Sequence, residues 1–511
     1  MTAKTDVLIV GAGPTGLTLA LWLTRLGVGL RIVDKAAGPG ETSRALAVQA
    51  RTLEFHRQIG IVDDVLSAGV KIDQLSIRTP RQIAVALKLG AFGAGLSRYA
   101  FAFALPQDVH EQILVKHLEI AGVRVERTTE VVGFEQNAGG ITATLRKNGV
   151  TETVRADYLC GCDGAHSVVR HGLKLGFPGG AYEQSFYVAD VQGTGDITPN
   201  GLNVCIGAYG FGIVMPVRQS GSLRLIGIVP LAHENDETIT FETIRAEVER
   251  DTGVRVTSVN WFSRYRVHHR VADSFCVGRV FIAGDAAHVH SPVGGQGMNT
   301  GIGDAVNLAW KLAAVVQGRA DATLLDSYEP ERIAFARLLI ASTDRAFKLV
   351  TGRSTISRLW RRYAMPRLVG FVLGTRTGAR TFFKLISQTR INYRHSAISA
   401  GSVGRVRGGD RLPYVADASG DNFAPLDAID WQVHIYGEAT SAFRTALAPT
   451  GVPVHAFAWS AAAKDAGFMR DAAYLVRPDG HIALASATQD AAPFVRYVRE
   501  LAIKPRAAKQ P

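Results

Sequence analysis

Two glycine-rich stretches lie far apart in this chain, and each is paired with a carboxylate. The first is Gly11-Ala12-Gly13-Pro14-Thr15-Gly16, with Asp34 downstream. The second opens on Gly284-Asp285 and runs through Pro292, Gly295, Gly297, Met298 and Asn299. A shorter pair, Asp163-Gly164, stands between them. Glycines at such spacing let backbone amides reach a phosphate, and an acid at a strand end accepts hydrogen bonds from ribose hydroxyls. These residues suit the holding of a phosphate-bearing cofactor rather than attack on a substrate. Cys160 and Cys162, one residue apart, are read as small buried hydrophobes rather than ligands, and no metal site is expected.

The elements around these residues can be read from the apolar pattern. Residues 7–10 form a buried strand, 17–26 a helix closed by Gly27, and 30–33 a second strand ending at Asp34. This is the βαβ dinucleotide fingerprint in its required setting, and it fits an ADP-containing cofactor without separating FAD from NAD. Residues 280–283 are a short strand, and apolar residues at Met298, Ile302, Ala305, Leu308, Leu312 and Val316 mark a helix after the second glycine loop. If the N-terminal stretch holds the ADP half, this second one is left for the rest of the cofactor, which makes that cofactor FAD. Residues 158–162 form another strand ending at Asp163, with a helix predicted over 165–173. The expected fold class is α/β: a Rossmann-like cofactor domain (1–72, 105–180 and 275–340) with an inserted antiparallel β-sheet substrate domain (73–104 and 181–274). Residues 341–400 read as a helical connector and 401–411 as a Gly/Arg-rich linker. Together with that linker, residues 401–511 read as a small thioredoxin-like α/β domain with no cysteine and so no disulfide chemistry.

Composition narrows the class further. With 511 residues, 47% of them hydrophobic, the chain can build two or three cores, and 20% charged residues argue against a disordered protein. Four cysteines do not make a disulfide framework, so a reducing, cytoplasmic location is expected. There is no signal-peptide pattern and no run long enough to span a membrane. The net charge of +12 is uneven: within 341–400 twelve Lys or Arg stand against one acid, Asp344. That segment reads as a solvated helical surface or as a contact for an acidic partner or anionic membrane. No nucleic-acid module is present.

Three motifs in fixed order, GAGPTG, CDGAHSVVR and GRVFIAGDAAHVHSPVGGQGMNTGIGDAVNLAWKL, closely resemble those of single-component FAD-dependent aromatic hydroxylases, the para-hydroxybenzoate hydroxylase and phenol hydroxylase group. Residues 408–500, with YLVRPDGHIAL, resemble the redox-inactive thioredoxin-like tail of the larger members. The resemblance implies that Gly11, Gly13 and Gly16 approach the FAD pyrophosphate and Asp34 its adenosine ribose. It places Arg44 and Gln107 on FAD, Asp285 on the ribityl chain, and the backbone of Gly297, Met298 and Asn299 against the flavin pyrimidine. Pro14, Thr15, Lys35, Val131 and Gly295 complete the implied cofactor contacts, and Asp163-Gly164 is linked to both FAD and the nicotinamide cofactor. Pro292 would line the pocket beside the ring, and Tyr265 matches a substrate-side tyrosine; from the residues alone Tyr265 reads equally well as core.

The implied activity uses NAD(P)H and O2 to hydroxylate a phenolic or polycyclic aromatic substrate through a flavin C4a-hydroperoxide. No second GxGxxG unit appears, so the nicotinamide cofactor would bind transiently, with NADPH preferred to NADH. One position departs from the phenol hydroxylase pattern: Leu46 stands where an acid is expected, so no catalytic base is assigned. His268 and His269 are the nearest substitutes. A homodimer is one assembly this reading admits. A second reading keeps the fold for oxygenation or inactivation of an antibiotic or other secondary metabolite. A third, from another class, makes the chain a flavin-bound interaction protein docking through 341–400.

Overall fold

The structure, a computed structural model, describes residues 3–40, 45–79, 82–206, 211–217, 221–234, 236, 238–291, 294–351, 360, 364–418 and 420–506. Its first sheet runs Cys276–Val277, Val280–Ile282, Val150–Gly161, Ala3–Val10, Leu30–Val33, Val125–Glu126, with the hairpin Thr129–Asn137 and Gly140–Lys147 attached. The central pairs are parallel. Val7, Leu8, Ile9 and Leu159 are fully buried, as strands covered on both faces require. Helix Pro14–Arg25 packs against helix Gly297–Val316 and against helix Gln107–Ile120. Thus both glycine-rich stretches open onto helices of one layer.

The second sheet has eight strands in the order His288–Val289, Val254–Val271, Gly179–Gly195, Leu223–Ile228, Phe211–Pro216, Gly201–Ile206, Gln74–Thr79, Gln82–Lys88. Period-two alternation sorts its faces. Tyr187, Ala189 and Val191 pack on Phe241, Ile244 and Val248 of helix Phe241–Thr252. Phe186 and Val188 point the other way. The strand His288–Val289 belongs to the second glycine-rich stretch, yet it pairs with Arg270 and Val271 of this sheet. The stretch is thereby pinned at the corner between the two sheets.

The C-terminal sheet runs Val454–Phe457, Gln432–Tyr436, Ala473–Val476, Ile482–Ser486. Its first pair is parallel and the others antiparallel, with helices Ser441–Leu447 and Ala492–Glu500 alongside, a thioredoxin-like layout. All four cysteines of the chain lie before it. Among the described residues no helix is long and apolar enough to cross a membrane.

Three readings of the sequence need correction. The strand expected at 158–162 is the end of a longer one, Val150–Gly161, because it pairs without interruption to the neighbouring hairpin strand as far as Ala156 and then continues beside Val280–Ile282. The helix expected over 165–173 is only Val168–Gly172: the Ser167 hydroxyl caps it by accepting from Arg170 N at 2.9 Å. Residues 401–411 are not a solvated linker. They carry the hairpin Ser402–Val403 and Val406–Arg407, and they end in a buried Arg411 that donates to Glu54.

Candidate active site

The N-terminal loop is built by close approach. Gly11 has φ +99°, and a Cβ there would overlap the carbonyl of Cys162; one at Gly16 would overlap the carbonyl of Gly11. A Cβ at Gly13 would meet nothing within 4 Å, so that side of the loop is open. The strand ends are laced together by Gly11 N to Val33 O at 2.8 Å and Cys162 N to Val10 O at 2.7 Å. Asp34 sits at the mouth: Oδ2 accepts from Ala12 N at 2.6 Å and Oδ1 from Ala36 N at 2.7 Å. Lys35 beside it is exposed. Asp163 abuts the same loop, its Oδ2 accepting from Val169 N at 3.2 Å while Oδ1 is buried with no protein partner. Gly164 has φ +79°, which turns the chain away at that point. Burial pushes the Cys160 and Cys162 thiols up, so both are inert packing groups as expected.

Gln107 opens its helix, and its Nε2 donates to Glu111 at 2.8 Å. Glu111 is buried, which pushes its carboxyl up, and its other oxygen accepts from Gly40 N at 3.1 Å. Val131 is sealed in the main core, so what it offers a cofactor is backbone. Arg44 and Pro292 lie outside the described residues.

The second loop meets the first through Thr15. Cβ atoms at Gly284 or Gly301 would overlap the Thr15 hydroxyl, so strand end, loop and helix interlock there. Asp285 is exposed between buried Gly284 and Ala286. Helix Gly297–Val316 starts without a side-chain cap or an acid in its first turn, and helix Pro14–Arg25 also lacks a side-chain cap. Two long helices thus present their orphan amides and positive dipole ends to this region. Asn299 does more than lend backbone. Its Oδ1 accepts from Gln49 N at 2.8 Å and Thr52 Oγ1 at 2.7 Å, while its Nδ2 donates to Ala47 O and Gly295 O. Met298 packs partly against the main core.

Behind the loop lies a buried charge network that the sequence did not reveal. Asp304 Oδ2 accepts from Gly284 N at 2.9 Å and pairs with His288 Nε2 at 2.7 Å; Oδ1 accepts from Arg332 Nε at 2.6 Å. Arg332 also donates to Tyr393 Oη and Thr300 O. Burial raises the Asp304 carboxyl, but Arg332 and His288 outweigh it and hold the group below its usual range. His290 stacks on His288 with ring centroids 6.5 Å apart. Its Nδ1 lies 2.8 Å from Ser291 O, and burial pushes the imidazole down to about 4. The neutral ring therefore donates through Nδ1 and keeps Nε2 as an acceptor; Nε2 is buried without a protein partner, 3.9 Å from where a Gly297 Cβ would sit. The open side of Gly13, the unpartnered Asp163 Oδ1 and His290 Nε2, and the uncapped helix ends all fit a dinucleotide cofactor laid across both loops.

Comparison with known proteins decides the kind of cofactor. The FAD-binding domain family matches residues 4–343. The chain belongs to that family. Among curated relatives, 6-methylpretetramide 4-monooxygenase of Streptomyces rimosus is 37% identical over 73% of this chain and 66% of its own length. A flavin-dependent monooxygenase of Mycobacteroides abscessus is 36% identical over 66% of this chain and 73% of its own. Among solved structures, the anhydrotetracycline hydroxylase OxyS of Streptomyces rimosus superposes with a TM-score of 0.77 at 27% identity, covering 98% of this chain and all of that one. The protein is an FAD-dependent monooxygenase of this family.

Within this family member, the sheet joined to the second loop carries the remaining candidates. Tyr265 lies beside Phe186, ring centroids 5.9 Å apart, on the face turned away from helix Phe241–Thr252, in a small cluster with Tyr182 and Val267. Leu46 is a buried apolar residue and supplies no base. His268 is exposed, and burial and then Arg270, His269, His166 and Arg266 hold it below its usual value, which keeps the ring neutral among cationic neighbours. On the same sheet face as Phe186, Arg224 is fully buried, with Nε and Nη2 forked onto Asp190 at 2.6 and 2.7 Å and Nη1 buried without a hydrogen-bond partner among the described residues. Sequence reading passed over it; a lone Arg within the apolar run Leu223–Ile228 was the available signal.

Proposed function

We propose that this monooxygenase hydroxylates a polycyclic aromatic phenol, consuming NADPH and O2. The observation that carries the reading is the pinning of the flavin loop to the substrate-side sheet through the pairing of His288 and Val289 with Val271 and Arg270. The loop that would hold the ring is thereby joined to the sheet that carries Phe186 and Tyr265. Two of the proteins named above, whose names specify 6-methylpretetramide and anhydrotetracycline, support that substrate class.

Gly11, Gly13 and Gly16 hold the pyrophosphate, Asp34 the adenosine ribose, and Asp285 the ribityl hydroxyls. The amides at the start of helix Gly297–Val316 favour negative charge at the near edge of the ring. The bound flavin supplies activated oxygen from O2 once reduced. The protein's tasks are to orient the phenol, exclude water and accept its proton. His290 Nε2, a neutral acceptor in a buried position, is suited to the first task, accepting a hydrogen bond from the phenol hydroxyl. The cluster of His166, Arg266, His268 and Arg270, next to Asp163-Gly164, is suited to the phosphates of NADPH.

The test is a screen of polycyclic phenols reading stimulated NADPH oxidation together with product mass. A gain of one oxygen supports the reading. Flavin reduction without O2 uptake on every substrate would sink it. Replacing Arg266 and His268 by Gln is expected to raise KM for NADPH about tenfold or more with FAD content unchanged; an unaltered KM removes the phosphate assignment.

A further inference from the structure

Two consecutive helices, Met365–Gly374 and Arg376–Ile386, cover one edge of the substrate sheet. Their inner sides are anchored. Gly370 lies against Val85 of the edge strand, Phe382 packs edge-on to Phe92, Phe383 lies over Gly93, and Arg380 donates to Ala94 O at 2.7 Å. Because both inner sides sit on residues 85–94, both outer sides face away from the same edge.

Those outer sides combine two features that rarely go together. Phe371 is 75% exposed, the most exposed large apolar side chain among the described residues, and Leu385, Leu368 and Val372 are 57%, 49% and 43% exposed. Solvated helices do not present Phe and Leu in this way without a use. Interleaved with them are Arg367, Arg376, Lys384 and Arg390, all exposed. The sequence from 364 to 400 contains no Asp or Glu. Among the described residues Arg376, Arg380, Lys384 and Arg390 have no carboxylate partner. Lys384 is held below its usual value by partial burial and then by Arg380 and Arg390, the signature of uncompensated like charge.

We infer that these two helices form a peripheral docking face for an anionic lipid surface. A second copy of this chain is the poorer occupant, because a symmetric contact through this face would set two acid-free cationic faces against each other. Nucleic acid or an acidic protein would answer the charge but not the apolar side chains between the cations. Lipid answers both: the aliphatic and aromatic groups enter the acyl boundary while Arg and Lys stay at the phosphates. The helices lie on the surface and do not cross it.

The experiment is co-sedimentation of the full-length, FAD-loaded protein with vesicles of phosphatidylcholine alone and of phosphatidylcholine with about 30% phosphatidylglycerol. Binding is expected on the anionic vesicles, at least about tenfold tighter than on neutral ones, and is expected to fall off at about 0.5 M salt. The pairs Phe371→Ser with Leu385→Ser, and Arg376→Gln with Lys384→Gln, each reduce it about tenfold while the flavin spectrum and Tm stay unchanged. No binding to anionic vesicles, or equal binding to neutral ones, overturns the proposal. So does a wild-type dimer that Phe371→Ser with Leu385→Ser turns into a monomer while vesicle binding is unaffected.

Discussion

The two glycine-rich loops meet at Thr15 but are held in opposite ways. Residues 11–16 are fixed by backbone contact: glycines at 11 and 16 are packed against carbonyls, and side chains contribute little beyond Asp34. The flavin loop is fixed from behind by side chains, with Asp304, Arg332 and His288 under Gly284 and Asn299 tied to Ala47, Gln49 and Thr52. A loop fixed by sterics has one geometry that no solvent condition loosens. A loop fixed by buried ionised groups depends on their charge state. Under the function proposed above, the first would suit the unreactive end of the cofactor, and the second the end where charge changes during turnover.

Asp304→Ala should separate them most widely. It strands Arg332 and His288 in the interior, and breaking such a pair costs about 3–5 kcal/mol, so a large fall in Tm and loss of flavin are expected. A Tm within a few degrees of wild type would mean that the network does not brace the loop. Gly16→Ala is next. The added methyl must displace the Gly11 carbonyl, with an overpacking cost of about 1–3 kcal/mol. Its mark is weaker FAD retention, with a urea midpoint that falls less than for Asp304→Ala.

The pH dependence tests the charge-state argument directly. Burial holds His110, beside the N-terminal loop's helix layer, and His290, in the flavin loop, down to about 4 from an ordinary 6.5. Between those values the unfolded chain binds more protons than the folded one. The stability these rings contribute is therefore full above about 6.5 and is lost as pH falls toward 4, on the order of 3 kcal/mol for each ring. Urea midpoints measured from pH 7 to 4 should slope downward, and His290→Gln should flatten part of that slope; an unchanged slope would place the His290 proton elsewhere. The smallest effect on stability belongs to Asp285→Ala. Asp285 is exposed, so the change in folding free energy stays within about 0.5 kcal/mol. FAD dissociation should nevertheless rise about tenfold or more through lost hydrogen bonds to a charged acceptor. Full flavin occupancy at limiting FAD would remove Asp285 from the ribityl contact.

The same contrast explains what was legible in the sequence. Gly11 and Gly16 could be read because a steric requirement writes itself into adjacent positions, and Asp34 because an acid closes the second strand. The strand–loop–helix order around Asp285 was legible for the same reason, as was the layered α/β class. Asp304 was not singled out, since its partners Arg332 and Tyr393 stand at distances along the chain that no periodic pattern encodes. Arg411 was taken for part of a linker because glycines and arginines in sequence look solvated, whereas Glu54, on a distant helix, buries it. Arg224 illustrates the remaining gap: its buried guanidinium is meaningful only once the sheet register sets it against Asp190.

The C-terminal domain has no cysteine, yet it is not an ornament. Arg477 is fully buried and forks onto Glu331 at 2.7 and 3.0 Å, and Glu331 in turn accepts from Lys311 and Asn307 on the helix that begins at the flavin loop. The tail thus supplies counter-charge to the cofactor half. Exchange of tails between relatives would be an exchange of ions as well as of surfaces: a graft must bring its own fork for Glu331, or leave that carboxylate to Lys311 and Asn307 inside the enzyme.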